Sequence, residues 1–500
     1  MKTKRHATKH ILVTTMLLLV PLCLAPAGTT VKDATHVTVR HEKGRCLGWP
    51  ANGGIWSWGN EILVQYKNGE FQDKPPGSHD FNFDKPVAID QSRSLDGGLT
   101  WTHHATTVVS SEDAKSPITA SALTAPIDFS NPSTILKFDW AGYLYYSTDR
   151  GVNWRGPFSL SKFDLLSWQL RTDYLVEGKN TCIAFWSGSK ERFKRDENGG
   201  MVYMVKTTDG GLTWTQEARV SRVVEPSEQK HDVALMPATV RISPTKLVTC
   251  LRNLTAYPKV GWIDCRVSTD NGRTWSLQSK PVGDEAGTTP PALSRLADGR
   301  LVLTYGYRKP LKGPTSIRAK LSEDDGKAWG DELILRTGGG DEDIGYTRNT
   351  VRPDGKIVTI YYWQENEKAE RDIAATIWTP PAPAGASVGQ EKTAGALVAA
   401  PKAKGAAPNA VAARGHHGTA PYLNTWLVAG PFATATARDL AMEVSRMAAG
   451  PLTELILLGN IAIRTGKRLE WDGAAMRFTN DAEANRFVKE PYNNGWSLEA

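Results

Sequence analysis

Across residues 36–379 apolar and polar positions alternate in short runs, such as Val202-Tyr-Met-Val-Lys206 and Trp262-Ile-Asp-Cys-Arg-Val267. A period of two puts successive side chains on opposite faces, so these runs predict β-strands. The pattern Ser/Thr-x-Asp-x-Gly-x-x-Trp follows such runs five times, at Ser94–Trp101, Ser147–Trp154, Thr207–Trp214, Ser268–Trp275 and Ser322–Trp329. Its aspartates, Asp96, Asp149, Asp209, Asp270 and Asp324, are 53, 60, 61 and 54 residues apart. Each copy reads as a hairpin turn. Asp accepts from neighbouring amides, Gly supplies a positive φ, and Trp lies across the hairpin to fill the space between sheets.

A repeat of about fifty-five residues built from strands predicts a β-propeller, in which each four-stranded blade buries its faces against the next. Five copies give five blades. Arg348–Arg352, Lys356–Trp363 and Asp372–Trp378 supply three further strands without the pattern, and residues 37–41 supply a fourth. The expected fold is therefore all-β, a six-bladed β-propeller over residues 36–379 whose ends are tied in one sheet. An Ala/Pro/Gly-rich linker at 380–420 and a small mixed segment at 421–500 are expected after it. Residues 381–420 contain 14 Ala, a composition that cannot build a core.

The first residues carry Lys2, Lys4, Arg5 and Lys9, then the apolar run 11–24, then Ala25-Pro26-Ala27. That order predicts an export signal over residues 1–27 and a periplasmic or extracellular destination. The apolar run, broken by Pro21, is shorter than the roughly twenty residues that span a bilayer, so no transmembrane anchor is expected. The chain's 60 basic and 53 acidic residues give +7, and losing those four cations leaves 56 against 53, or +3. This is too weak for a nucleic-acid footprint. Cys46, Cys182, Cys250 and Cys265 match no zinc spacing; they read either as up to two disulfides or as buried thiols.

The five repeats resemble the Asp boxes of the sialidase (neuraminidase) superfamily, over roughly residues 36–379. The resemblance implies that the boxes are structural and lie away from the catalytic face. It also implies an arginine triad for a substrate carboxylate, a Tyr nucleophile backed by Glu, and an Asp acid/base. A guanidinium fork matches a carboxylate in two hydrogen bonds. On this chain the matching positions are Arg45, then Arg252 after the strand Lys246–Leu251, then Arg308 or Arg318. Tyr346, just ahead of a Pro-Asp-Gly turn, matches the nucleophile, while Asp80 and Asp84 bracket the position of the acid. Arg171 and Asp173 form a further polar cluster on an inner strand of the third blade. The stretch Gly48–Trp58 adds aromatic planes on which sugars stack, with Trp56 and Trp58 equally suited to packing between blades.

The supporting glutamate of the family is expected near Met236, where this chain has no carboxylate. Asp341, Glu342 and Asp343 before the tyrosine, or His231, are the substitutes, with Asp343 and His231 the candidate bases for Tyr346. The reading implied is an exported sialidase-like glycoside hydrolase for sialic- or uronic-acid glycans, without metal or cofactor. A non-catalytic carbohydrate-binding propeller and a glycan lyase are the alternatives. Residues 451–498 resemble the C-terminal tail of Gfo/Idh/MocA-type oxidoreductases. No G-x-G-x-x-G follows a strand, so neither dinucleotide binding nor redox activity is expected.

Overall fold

The computed structural model describes residues 28–75, 77–110, 118–161, 163, 165, 167–189, 200–221, 232–255, 260–287, 289–308, 315–366, 369–383, 470–472, 477–482 and 484–487. The expected leader, most of the linker and His231 lie outside them. The chain divides into two compact units, Met1–Gly389 and Gln390–Ala500. In the second, Trp471–Asp472 pairs with Arg477–Phe478, and the Phe478 amide donates to Asn485 Oδ1 at 2.6 Å.

The first unit is a six-bladed β-propeller. Blade one pairs both Arg45–Gly48 and Gly54–Trp58 with Glu61–Glu70, followed by Ala88–Ser94 and Thr102–Val109. Blades three to five repeat the antiparallel order, with second strands Cys182–Ser189, Leu247–Thr255 and Leu301–Tyr307. In blade six, Gly345–Val351, Ile357–Trp363 and Asp372–Trp378 are joined by Thr35–Arg40, which pairs antiparallel with Ile373–Ile377. The ring is closed as the alternation predicts. A second tie, absent from the sequence reading, is Thr29–Thr30 running parallel to Leu333–Ile334 of blade five.

Blade two departs from the four-stranded expectation, since only Ile135–Asp139, Tyr143–Ser147 and Arg155–Ser159 form its sheet. Of the segment before it, Ser121 bridges to Phe158 on the outer strand, while the amides of Ile127 and Phe129 donate to Gly210 and Lys179 carbonyls of blade three. Side chains then satisfy the uncovered edge. The Leu136 amide donates to Tyr174 Oη at 3.1 Å and the Phe138 amide to Thr172 Oγ1 at 3.3 Å.

The boxes are self-contained turns. Asp96 Oδ1 accepts from the amides of Leu99 and Thr100 at 3.0 and 2.9 Å, and Ser94 Oγ accepts from Gly98 at 2.8 Å. Equivalent bonds to the residue four places on recur at Asp149, Asp209, Asp270 and Asp324. The hydroxyl of Thr274, its amide and the Ser268 hydroxyl hold the Asp270 carboxyl at about 2. Every box joins the last two strands of its blade in chain order. In blade four Leu247 pairs with Ser268, where the box begins, whereas Leu254 pairs with Gly261 at the other end. Second strands therefore finish, and first strands start, at the face opposite the boxes.

Of the cysteines, Cys250 and Cys265 are directly opposed on neighbouring strands and form a disulfide. Cys46 and Cys182 are buried thiols, and burial pushes Cys46 up to about 12.

Candidate functional site

The face opposite the boxes gathers first-strand starts and second-strand ends, and two of these are bulged. Register shifts fall between Leu235 and Ala238 in blade four and between Gly345 and Arg348 in blade six. Inside them Met236 and Tyr346 have φ of 54° and 50°. A left-handed conformation is uncommon for such side chains and costs on the order of 1 kcal/mol or more, so the surrounding structure must hold it. Gly345 allows the second bulge: its φ is +97°, and a Cβ there would sit 3.0 Å from Gly306 Cα.

The bulges bring Tyr346 against the ends of two second strands. Arg252 Nη1 donates to Tyr346 Oη at 3.0 Å and lies 3.6 Å from Met236 Sδ. The guanidinium carbons of Arg252 and Arg308 are 5.8 and 5.6 Å from the centre of the Tyr346 ring. Among the described residues Arg252 has no carboxylate partner, and its Nε is buried without a hydrogen bond. Met236, near which the family resemblance leads one to expect a glutamate, brings no carboxylate to Arg252.

Arg308 is paired differently. Its Nη2 reaches Asp343 Oδ1 at 2.6 Å, and its Nε donates to the Glu342 carbonyl at 2.6 Å. Asp343 is almost wholly buried and also accepts from His79 Nδ1 at 2.9 Å and from Tyr362 Oη. Burial alone would raise this carboxyl. The His79 hydrogen bond and the charges of Arg308, His79 and Arg371 overcome it and hold Asp343 at about 2. Its neighbour Tyr362 is pushed well up by burial and then by Asp343. Asp343 thus sits on Tyr362, 5.7 Å between ring centres from Tyr346, rather than on Tyr346.

Arg371, unmarked in the sequence reading, organises the carboxylates. It is fully buried, pairs with Asp80, and reaches Asp341 Oδ2 at 2.8 Å and the Asp343 carbonyl at 2.9 Å. Burial raises the Asp80 carboxyl, with the Arg371 charge opposing.

Inward of Tyr346 two more guanidiniums cross the channel. Arg171 donates to the Met236 and Pro291 carbonyls, both at 3.2 Å, and Arg348 to Ala51 and Thr172 carbonyls at 2.6 and 2.5 Å. Asp173 accepts from Thr239 Oγ1 at 2.8 Å. Burial pulls Arg171 well down and Arg348 to about 10, and pushes Asp173 up to about 6 against both cations. These side chains join blades one, three, four, five and six.

The remaining predicted residues lie elsewhere. Arg45 donates to Asn68 Oδ1 at 2.7 Å and to its carbonyl at 3.2 Å. Arg318 pairs with Glu332 and stacks on Tyr307, 3.5 Å from its ring centre. Asp84 is exposed in a turn capped by Asn82. Trp56 packs between blades with Leu63, Ile135 and Trp154, and Trp58 donates to the Pro132 carbonyl. Among the described residues no group of three His, Cys, Asp or Glu side chains is placed for a metal, and no helix is long and apolar enough to cross a membrane.

A family model described as BNR repeat-like domain matches residues 85–359. A protein of unknown function from Dyadobacter fermentans has a similar structure, with 20% identity and a TM-score of 0.53 over 70% of this chain and 100% of that one. The α-L-arabinanase of Penicillium chrysogenum, complexed with arabinobiose, aligns at 14% identity and TM-score 0.43 over 70% and 98% of the two chains. For the Trypanosoma rangeli sialidase in complex with sialic acid the values are 13% and 0.44, over 70% of this chain and 60% of the sialidase. No curated protein matches. The Dyadobacter structure supports the fold alone.

Proposed function

The chain belongs to the BNR repeat-like domain family, and on that premise we propose that its open face binds an acidic glycan and hydrolyses it. The observation that carries the reading is Arg252, a half-buried guanidinium on Tyr346 with no carboxylate among the described residues. An uncompensated cation in a partly dry site is costly unless a ligand brings the anion. In this reading Arg252 and Arg308 hold the sugar carboxylate, Tyr346 is the nucleophile, and Asp80, raised by burial, is the acid. Arg171, Arg348 and Asp173 position the bulges. Residues 1–27 are an export leader, 380–420 a linker, and the tail at 451–498 has no redox role.

A second reading, binding without turnover, is favoured by one observation. Tyr346 is 6% exposed and bonded to Arg252, while Asp343 is committed to Tyr362, Arg308 and His79. The test is release of sugar from sialosides and uronic-acid glycans by the wild type and Tyr346→Phe. Release lost in the variant supports hydrolysis. Binding without release supports the second reading, and neither binding nor release rejects both.

A further inference from the structure

The loop of residues 71–87 follows the second strand of blade one at the open face, and it carries a histidine so far met only as a partner of Asp343. The loop is pinned on both sides of it. The Gly77 amide donates to Asp341 Oδ1 at 2.9 Å, Arg371 donates to the Ser78 carbonyl at 3.3 Å, and Asp80 pairs with Arg371. Trp49 meets the His79 ring edge-on, 4.8 Å between centres. The imidazole is thus fixed, yet 24% of its side chain stays exposed, against 1% for Asp343.

The two ring nitrogens are unlike. Nδ1 lies 2.9 Å from Asp343 Oδ2, and Asp343, held at about 2, is an acceptor only, so Nδ1 carries the proton. The lone pair of the neutral ring therefore sits on Nε2, which has no partner among the described residues. Tyr346 shows the complementary mismatch. Its Oη accepts from Arg252 Nη1, and its own proton has no acceptor among the described residues. Asp343 links the two: Oδ2 faces His79, while Oδ1 faces Arg308 and Tyr362, whose guanidinium and ring lie 5.6 and 5.7 Å from the Tyr346 ring centre. Besides Asp343, the charged groups on the loops that hold His79 are Asp80, Asp341, Glu342, Arg308 and Arg371.

We propose that His79 is the base the site otherwise lacks, taking the Tyr346 proton at Nε2 through a bridging water. The inference rests on the hydrolysis reading. In the first step Tyr346 Oη bonds to the anomeric carbon, its proton passes to His79, and the leaving oxygen departs with the proton of Asp80. In the second, water bonds to that carbon and gives a proton to Asp80, while Tyr346 departs and recovers its proton from His79. One water is consumed. Asp343 stays ionised throughout and compensates the imidazolium.

The experiment compares wild type, Tyr346→Phe and His79→Ala as full chains on the 4-methylumbelliferyl glycosides of N-acetylneuraminic and glucuronic acids. A phenolic leaving group departs without an acid, so loss of the base shows there undiminished, whereas loss of Asp80 does not. His79→Ala is expected to lower kcat/KM by about 10²–10⁴-fold, to keep affinity for the free sugar acid within about threefold, and to lose the acid limb of the pH–rate profile. Added 4-methylimidazole should restore part of the rate, which a merely structural histidine does not allow. His79→Gln serves if thermal melting shows His79→Ala misfolded. A rate kept by the His79 variants, or a residual rate that retains the wild-type acid limb, overturns the assignment and leaves hydrolysis standing. A wild type that cleaves neither glycoside, or a Tyr346→Phe as active as wild type, defeats the hydrolysis reading and the role of His79 with it.

Discussion

Arg252 and Tyr346, ninety-four residues apart and two blades distant, share a hydrogen bond of 3.0 Å at the mouth of the propeller. The bond exists because the blade-six bulge turns Tyr346 inward while the second strand of blade four carries Arg252 to the same face. Met236 lies beneath the guanidinium and contributes no charge.

Replacing this arginine separates binding from folding. Arg252→Ala is expected to weaken acidic-glycan binding by roughly 2–5 kcal/mol, the range for a lost charged contact in a desolvated site. Its melting temperature should not fall, since no ion pair among the described residues is broken. Calorimetry and thermal melting measure the two effects.

The Asp343 network gives the fold an acid limit. This carboxyl sits at about 2 in the folded chain and near 3.9 unfolded. Its contribution, about 2–3 kcal/mol, is therefore fully present above pH ~4 and lost as pH falls toward 2. Asp173, raised to about 6, acts with the opposite sign between pH ~4 and ~6, where it takes up its proton earlier in the folded state. Denaturant titrations from pH 2 to 5 should show a steep loss of stability in the wild type. Asp343→Asn should flatten it and, by leaving Arg308 and Arg371 short of a buried counter-charge, cost about 3–5 kcal/mol at pH 7.

What the sequence made legible was local. Asp209 and Thr213 are four residues apart, so the box turn is written in one stretch and its spacing gives the blade count. Residues 37–41 show the alternation of a closing strand, and Thr35–Arg40 is the strand that closes the last sheet. Tyr346 with Arg252 was accessible through the family pattern. Arg371 was not, because it is one polar residue just ahead of an ordinary strand, and its partners Asp80 and Asp341 come from distant loops. Arg318 and Arg308 look alike in sequence, yet Arg318 lies on the neighbouring strand facing Glu332, while Arg308 directly follows the strand Leu301–Tyr307 at the mouth. The three-stranded blade was illegible for a similar reason: Thr172 and Tyr174 replace backbone pairing with side-chain bonds.

Box residues should matter to stability and not to ligand. Asp209→Ala removes bonds to the Thr213 amide, its hydroxyl and Thr207. The expected cost is about 1–2 kcal/mol, similar to losing a helix cap, with glycan affinity unchanged. Chemical denaturation beside calorimetry checks both halves.

The disulfide should contribute modestly. Cys250 and Cys265 are fifteen residues apart on strands already paired. Replacing both with Ser should cost at most about 3 kcal/mol, the loop-entropy value for that length. Thiol labelling followed by mass spectrometry should find Cys46 and Cys182 unreactive until the chain is denatured, since both are buried.

In the proposed function Arg252 takes a sugar carboxylate beside Tyr346. The most direct measurement is titration of the wild type with an acidic oligosaccharide and with the same sugar after its carboxylates are reduced to alcohols. The acid should bind at least about tenfold tighter, ~1.4 kcal/mol or more, and Arg252→Ala should erase the difference. Equal affinity for acid and alcohol in the wild type, or a preference for the acid that survives in Arg252→Ala, would contradict it.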